Sequence, residues 1–80
     1  MNGVHAYVLV QTEVGRSADV ARAIADLPGV ESASDVTGPY DVIALVAAAN
    51  ITELGREVIN PIQSVGGITR TLTCPVVPLS

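Results

Sequence analysis

The sequence predicts an α+β fold: four strands in one antiparallel sheet, with two helices packed on a single face. Three observations predict it. Apolar runs of strand length alternate with two helical periodicities in the order strand, helix, strand, strand, helix, strand. Gly or Pro punctuates nearly every junction between them. The 80 residues suffice for one domain, taken as 1–80, and for little more.

Each element has its own signal. Val4 to Thr12 is rich in Val, Leu and Tyr and reads as the first strand, ended by Gly15 and Arg16. Ser17 is a good N-cap, and Val20, Ala21, Ile24 and Leu27 then fall on one helical face. Pro28-Gly29 stops that helix. Val30 to Thr37 alternates imperfectly and is polar enough for an edge strand. Gly38-Pro39 turns the chain, and Tyr40 to Ala48 is the most apolar strand. Asn50 can cap the second helix with Glu53 as its capping-box partner. Ile51, Leu54, Val58, Ile62 and Val65 recur at helical spacing, and Pro61 is expected to end or kink this helix. After Gly66-Gly67 the last strand runs from Ile68 to Val77, within and beyond which "PVVPLS" forms a frayed or docked tail. Two βαβ halves joined by a short turn give the ferredoxin-like arrangement.

Composition narrows the function classes. Hydrophobic residues make up 49% of the chain, yet it has no Phe, no Trp and two Tyr. A core of Val, Ile, Leu and Ala in so small a domain favours stability through self-association. Eight acids stand against four Arg, for a net charge of −4, so the chain lacks the basic face of a direct nucleic-acid binder. With one cysteine, Cys74, no intramolecular disulfide can form. No stretch reaches membrane-span length and the N-terminus lacks a basic leader, so a cytoplasmic protein is expected. Cys74 is expected as a small buried hydrophobe, and the four arginines as salt-bridge partners.

The strands raise a problem that the helices cannot solve. Strand three carries Tyr40, Val42, Ala44, Val46 and Ala48 on one face, and Asp41, Ile43, Leu45, Ala47 and Ala49 on the other. Strand one repeats this with Ala6, Val8 and Val10 against Tyr7 and Leu9. Strands apolar on both faces are normally buried on both. Two sheets facing one another, a dimeric α+β barrel, cover the second face. Burying ~500 Å² of it per subunit gives a gross gain of ~12 kcal/mol, and association costs of several kcal/mol come off that. The C-terminal tail is the alternative cover, and it is short. On the last strand Ile68 and Leu72 are expected toward the helices, and Thr69, Thr71 and Thr73 toward the partner subunit. The threonines offer hydroxyls to a trapped ligand or reflect strand propensity alone.

The loop "VTGPYD" admits two readings. Gly38 lets backbone approach a ligand or adopt positive φ, Pro39 fixes φ, Tyr40 can wall a pocket, and Asp41 can pair with an ammonium group. Equally, it is a hairpin turn whose Asp caps loop amides.

The ordered set Leu27-Pro28-Gly29-Val30, Thr37-Gly38-Pro39-Tyr40-Asp41, Gly67-Ile68 and Thr69-Arg70-Thr71-Leu72-Thr73 resembles the effector-binding (RAM) domain of the Lrp/AsnC family of transcription regulators. The resemblance covers nearly the whole chain. It implies dimerisation through sheet faces, further assembly to octamers or decamers, and amino acids or related metabolites bound between subunits near the loop joining strands two and three. It thereby implies a ligand-binding role for Gly38, Pro39, Tyr40 and Asp41 and for part of the row Thr69, Thr71 and Thr73, with no catalysis, cofactor or metal. Regulators of this family also carry an N-terminal helix-turn-helix domain, for which this chain has no room. It therefore looks like a stand-alone module, as Met1 favours, or an excised one. Such a module would act through assembly with full-length relatives. Two alternatives share the fold: a dimeric monooxygenase or isomerase built on His5 with Asp41 or Tyr7, and an ACT-like regulatory subunit of an amino-acid biosynthetic enzyme.

Overall fold

Alternation in the two central strands decides which side of the sheet is covered. The computed structural model describes residues 3–79; Met1, Asn2 and Ser80, at the ends of the domain expected over 1–80, lie outside the described residues. In β1 (Val4–Thr12) the side chains of Ala6, Val8 and Val10 are fully buried, whereas Tyr7 between them is 46% exposed. In β3 (Val42–Ala48) the buried set is Val42, Ala44 and Val46. Helix α1 (Ser17–Ala25) lays Val20, Ala21 and Ile24 on this surface. A second helix, α2, occupies residues 51–63 and adds Leu54, Val58 and Ile62. Full burial of Ile24 or Ile62 contributes about 1.5–3 kcal/mol each.

Strands β2 (Val30–Asp35) and β4 (Ile68–Pro75) complete the sheet in the order β2-β3-β1-β4, every neighbouring pair antiparallel. Each helix connects two strands that are separated by a third, so the two βαβ units interlock as a ferredoxin-like fold with both helices on one face. The polar strand β2 sits at an edge, as its sequence implies.

Several local expectations are corrected. Helix α1 is capped by Arg16 without a side-chain bond, so Ser17 is its first residue and not its N-cap. Asn50 does cap α2, its side chain accepting the Glu53 N–H at 2.8 Å. Ile51, expected on the buried face, is 60% exposed. Pro61 does not end α2. The helix is α over Ile51–Glu53, widens to π over Leu54–Ile59 and returns to α over Asn60–Gln63. The Asn60 N–H reaches back to the Gly55 carbonyl, five residues away. That wider turn gives the proline ring room against the carbonyls of the turn before it.

The largest correction is in β4. Thr12 pairs with Ile68 while Gln11 pairs with Arg70, so Thr69 is the extra residue of a β-bulge. The bulge inverts the alternation. Ile68 packs on the core as expected, but Thr71 and Thr73 pair with Val10 and Val8 and share their helix-covered face. Gln63 at the end of α2 donates to the Thr71 hydroxyl at 3.2 Å. Arg70, Leu72 and Cys74 therefore point to the open face, where Leu72 is 42% exposed and Cys74 is exposed too.

Candidate functional site

The β2–β3 connection is longer than the two-residue turn its Gly-Pro pair suggests. β2 stops at Asp35 and β3 starts at Val42, which leaves residues 36–41 as a loop. The Val36 N–H donates to the Asp41 carbonyl at 2.9 Å and closes it. Within it Gly38 sits at φ +144, a region that L side chains avoid, with nothing within 4 Å of a Cβ built there. Gly38 and Pro39 are exposed; Tyr40 and Asp41 are half-buried.

This loop is bound to the end of β1. The Asp41 N–H donates to the Val10 carbonyl at 2.8 Å, and the Thr12 N–H donates to Asp41 Oδ2 at 2.8 Å. Gln11 Nε2 donates to the Pro39 carbonyl at 3.0 Å. Asp41 thus fulfils the turn-capping role, whatever else it does. Gln11 and Thr12 are the contributors that sequence reasoning missed. A signal existed: Gln11 interrupts the apolar series Tyr7, Leu9 on its face of the strand. Its partner could not be read without the register.

The same end of the sheet gathers three connections. The Glu13 N–H donates to the Gly67 carbonyl at 2.8 Å, joining the β1–α1 and α2–β4 loops beside the start of β4. Thr69 and Thr71 lie at this end, with Thr73 further along; of these, Thr71 and Thr73 face the helices and not the open side. Arg70 stands in register with Gln11 on the open face.

The open face is apolar and uncovered. Tyr7, Leu9, Ile43, Leu45, Ala47 and Leu72 lie on it by register. The tail does not fold over it. Val76 extends the pairing by donating to the His5 carbonyl at 2.8 Å, and Val77 and Leu79 are 73% and 96% exposed. No helix among the described residues is long and apolar enough to cross a membrane.

Two clefts lie away from the loop. One of about 460 Å³ opens between Pro28, Gly29, Ala47, Glu53, Glu57 and Val58, at the opposite end of β3 from the loop. His5 lines a cleft of about 200 Å³ with Val4, Val76 and Pro78. It lies 3.6 Å from Glu31, both about half exposed. His5 pairs with Ala47, seven residues along β1 from the Thr12 that holds Asp41, or about 23 Å at strand rise. His5 and Asp41 cannot act on one substrate atom within a single chain.

Among the arginines, Arg16 pairs with Glu13 at 3.8 Å, Arg22 with Asp19 at 2.9 Å and Arg56 with Glu57 at 3.7 Å. Among the described residues Arg70 has no ion-pair partner, contrary to its expected role.

Residues 5–77 match the family model described as the Lrp/AsnC ligand binding domain. The transcriptional regulator LysM of Saccharolobus solfataricus, of the helix-turn-helix type, is 37% identical over 71 residues, covering 88% of this chain and 49% of that protein. The chain spans about half the length of this and three further archaeal regulators that it matches. A homocitrate synthase of Sulfurisphaera tokodaii matches at 35% identity over 54 residues, 68% of this chain and 12% of the enzyme. Among solved structures, TTHA0845 from Thermus thermophilus is 36% identical with a TM-score of 0.87, and 96% of each chain is covered. The transcriptional regulator NMB0573 of Neisseria meningitidis, solved as a complex with L-Met, has a TM-score of 0.79 at 17% identity, over 95% of this chain and 51% of that one. That last likeness speaks for the fold alone. With its family model matched almost end to end and regulators for relatives, the chain belongs to the Lrp/AsnC ligand-binding domain family.

Proposed function

We propose that this domain binds an amino acid or a related small metabolite at a seam between copies of the chain, and that occupancy controls assembly. The observation that carries the reading is the apolar sheet face, which neither helix nor the tail covers. A second copy is its cover, as the gross gain of ~12 kcal/mol for ~500 Å² allows. The loop at residues 36–41 stands at the end of that face, tied to β1 from which Tyr7 and Leu9 project onto it. A ligand held there contacts Gly38, Pro39, Tyr40 and Asp41. Thr69 approaches the same end, whereas Thr71 and Thr73 serve the site only from the helix side. A small-molecule effector is supported by the family model, which is described as a ligand binding domain.

The domain then acts on transcription through assembly, with itself and with relatives that carry a DNA-binding segment. Ligand bound between copies couples to assembly by mass action: about 2.7 kcal/mol of stabilisation at a hundredfold excess over Kd, or roughly 10 °C or more in Tm for a domain of this size. Thermal-shift assays with the twenty amino acids at millimolar concentration, followed by sedimentation velocity, test it. One chemical class of amino acid is expected to raise Tm and shift the sedimentation profile. Silence across all twenty rejects the reading.

A second reading rests on the homocitrate synthase match: the same module as a regulatory part of a metabolic enzyme. Affinity purification from cell extract separates the two, since it recovers an enzyme in one case and a regulator in the other.

A further inference from the structure

We propose that Arg70 recognises the carboxylate of the effector and that Gln11 couples it to the loop. This rests on the effector-binding reading and names the chemical group by which the site selects its ligand.

Arginine is the only cationic residue type in the chain apart from His5, and the four arginines are not equivalent. Arg16, Arg22 and Arg56 each have an acid within 3.8 Å, contributed by a residue one or three positions away in their own segment. Arg70 has none among the described residues. It stands on the open face next to Leu72 and Leu9, in register with Gln11. Residues opposed in this way have Cβ atoms ~5 Å apart.

Gln11 is engaged on one side only. Its Nε2 donates to the Pro39 carbonyl at 3.0 Å. A primary amide has a second N–H and a carbonyl oxygen to spare. Its carbonyl can orient a guanidinium while its remaining N–H adds a donor to the same pocket. By hydrogen bond and register, loop backbone, amide and Arg70 lie side by side at the end of an otherwise apolar surface.

Charge gives this arrangement its purpose. Once a second copy covers the face, an unpaired guanidinium at its margin requires an anion, because a desolvated charge without a partner costs several kcal/mol. Of the acids at this face, Glu31 is paired with His5 at the far end of β1, and Asp41, on the other side of Gln11 from Arg70, takes the Thr12 N–H. A carboxylate fits a guanidinium through two parallel hydrogen bonds. With a net charge of −4 the chain as a whole repels carboxylates, so specific capture needs a local cation. Arg70 for the carboxylate and Asp41 for the ammonium define a zwitterion clamp with the loop between them.

The test compares the twenty L-amino acids with their carboxamides, on wild-type chain, Arg70→Gln and Arg70→Lys, by calorimetry and sedimentation. Wild type is expected to favour at least one acid over its carboxamide by about tenfold or more, a ratio of the size that charge-assisted pairs produce. In Arg70→Gln that ratio falls to about one through loss of acid affinity, and Arg70→Lys restores part of it, with assembly of the free protein retained or strengthened in Arg70→Gln, which no longer leaves a charge unpaired there. Gln11→Leu lowers acid affinity and speeds amide exchange at Gly38, Tyr40 and Asp41. If Arg70→Gln keeps the preference for the acid, the inference is wrong while effector binding stands. If Arg70→Gln instead disrupts the free assembly and leaves the preference intact, Arg70 is an interface ion-pair residue and the inference is equally wrong. If wild type binds no amino acid, the effector reading and this inference fail together.

Discussion

At Asp41 one carboxylate oxygen takes the Thr12 N–H at 2.8 Å, while the residue's own N–H and carbonyl bond Val10 and Val36. Three bonds through one residue make it the fastening of the loop to β1. A sequence offers an acid after Gly-Pro-Tyr and leaves open whether it serves the loop or a ligand. The structure assigns the first role by geometry, and the second role requires the same side chain to be held still. Asp41→Ala removes a hydrogen bond to a charged acceptor, worth about 1.5–3 kcal/mol. At fixed protein concentration the expected drop in Tm is on the order of 10 °C. Asp41→Asn retains an acceptor oxygen and is expected to lose about half as much, since neutral hydrogen bonds contribute less. A Tm unchanged in Asp41→Ala means that the backbone bonds alone hold the loop. Amino-acid binding by Asp41→Ala is then interpretable only beside Asp41→Asn, which separates loop order from charge.

Element boundaries follow backbone details that apolar patterning does not encode. Strand and helix periodicity located all four strands and both helices, because Val8, Val10, Val42, Val46, Ile24 and Ile62 repeat at the period of their element. It did not locate the bulge at Thr69. A bulge adds one residue to the count without altering composition, so every residue after it changes face: Leu72 moved outward and Thr71 and Thr73 inward. Nor did it foresee the π turn, since Pro61 signals an obstacle and not the way around it. At the α1–β2 turn Pro28-Gly29 marked the end of the helix, and the structure adds why the glycine is needed. Gly29 has φ +84, and a Cβ there would approach Val58 Cγ2 to 2.6 Å and the Ala47 carbonyl oxygen to 3.1 Å. Strain at positive φ and overpacking against Val58 each cost about 1–3 kcal/mol. Gly29→Ala is therefore expected to destabilise the domain by more than ~2 kcal/mol in chemical denaturation. A change below ~0.5 kcal/mol, the range of neutral surface substitutions, means that the turn and α2 shift apart without penalty.

In the whole molecule the sheet has one face finished and the other unfinished. The finished face needed both helices to bury Val8, Val10, Ala44 and Val46. The open face presents Leu9 and Leu45 in its two central strands, with Tyr7, Ile43 and Leu72 around them, and the C-terminal tail runs off beside β1 instead of across it. Leu45 is the sharpest probe. It is half-buried, flanked by Tyr7 in β1 and Ser32 in β2, and it points away from the helices. Leu45→Lys adds a charge where no helix contact is lost, so an isolated chain tolerates it at little cost. In a sheet-to-sheet assembly the two-fold operation repeats the substitution, and two unpaired ammonium groups enter one apolar interface. Each carries a desolvation penalty of several kcal/mol, comparable to the net free energy of a micromolar dimer, about 8 kcal/mol. Leu45→Lys is expected to sediment as a monomer, with far-UV circular dichroism unchanged and a Tm that no longer rises with protein concentration. Retention of the wild-type sedimentation profile by this variant means that copies of the chain meet through some other surface. The proposed seam, and the proposed effector site with it, then have to be sought there.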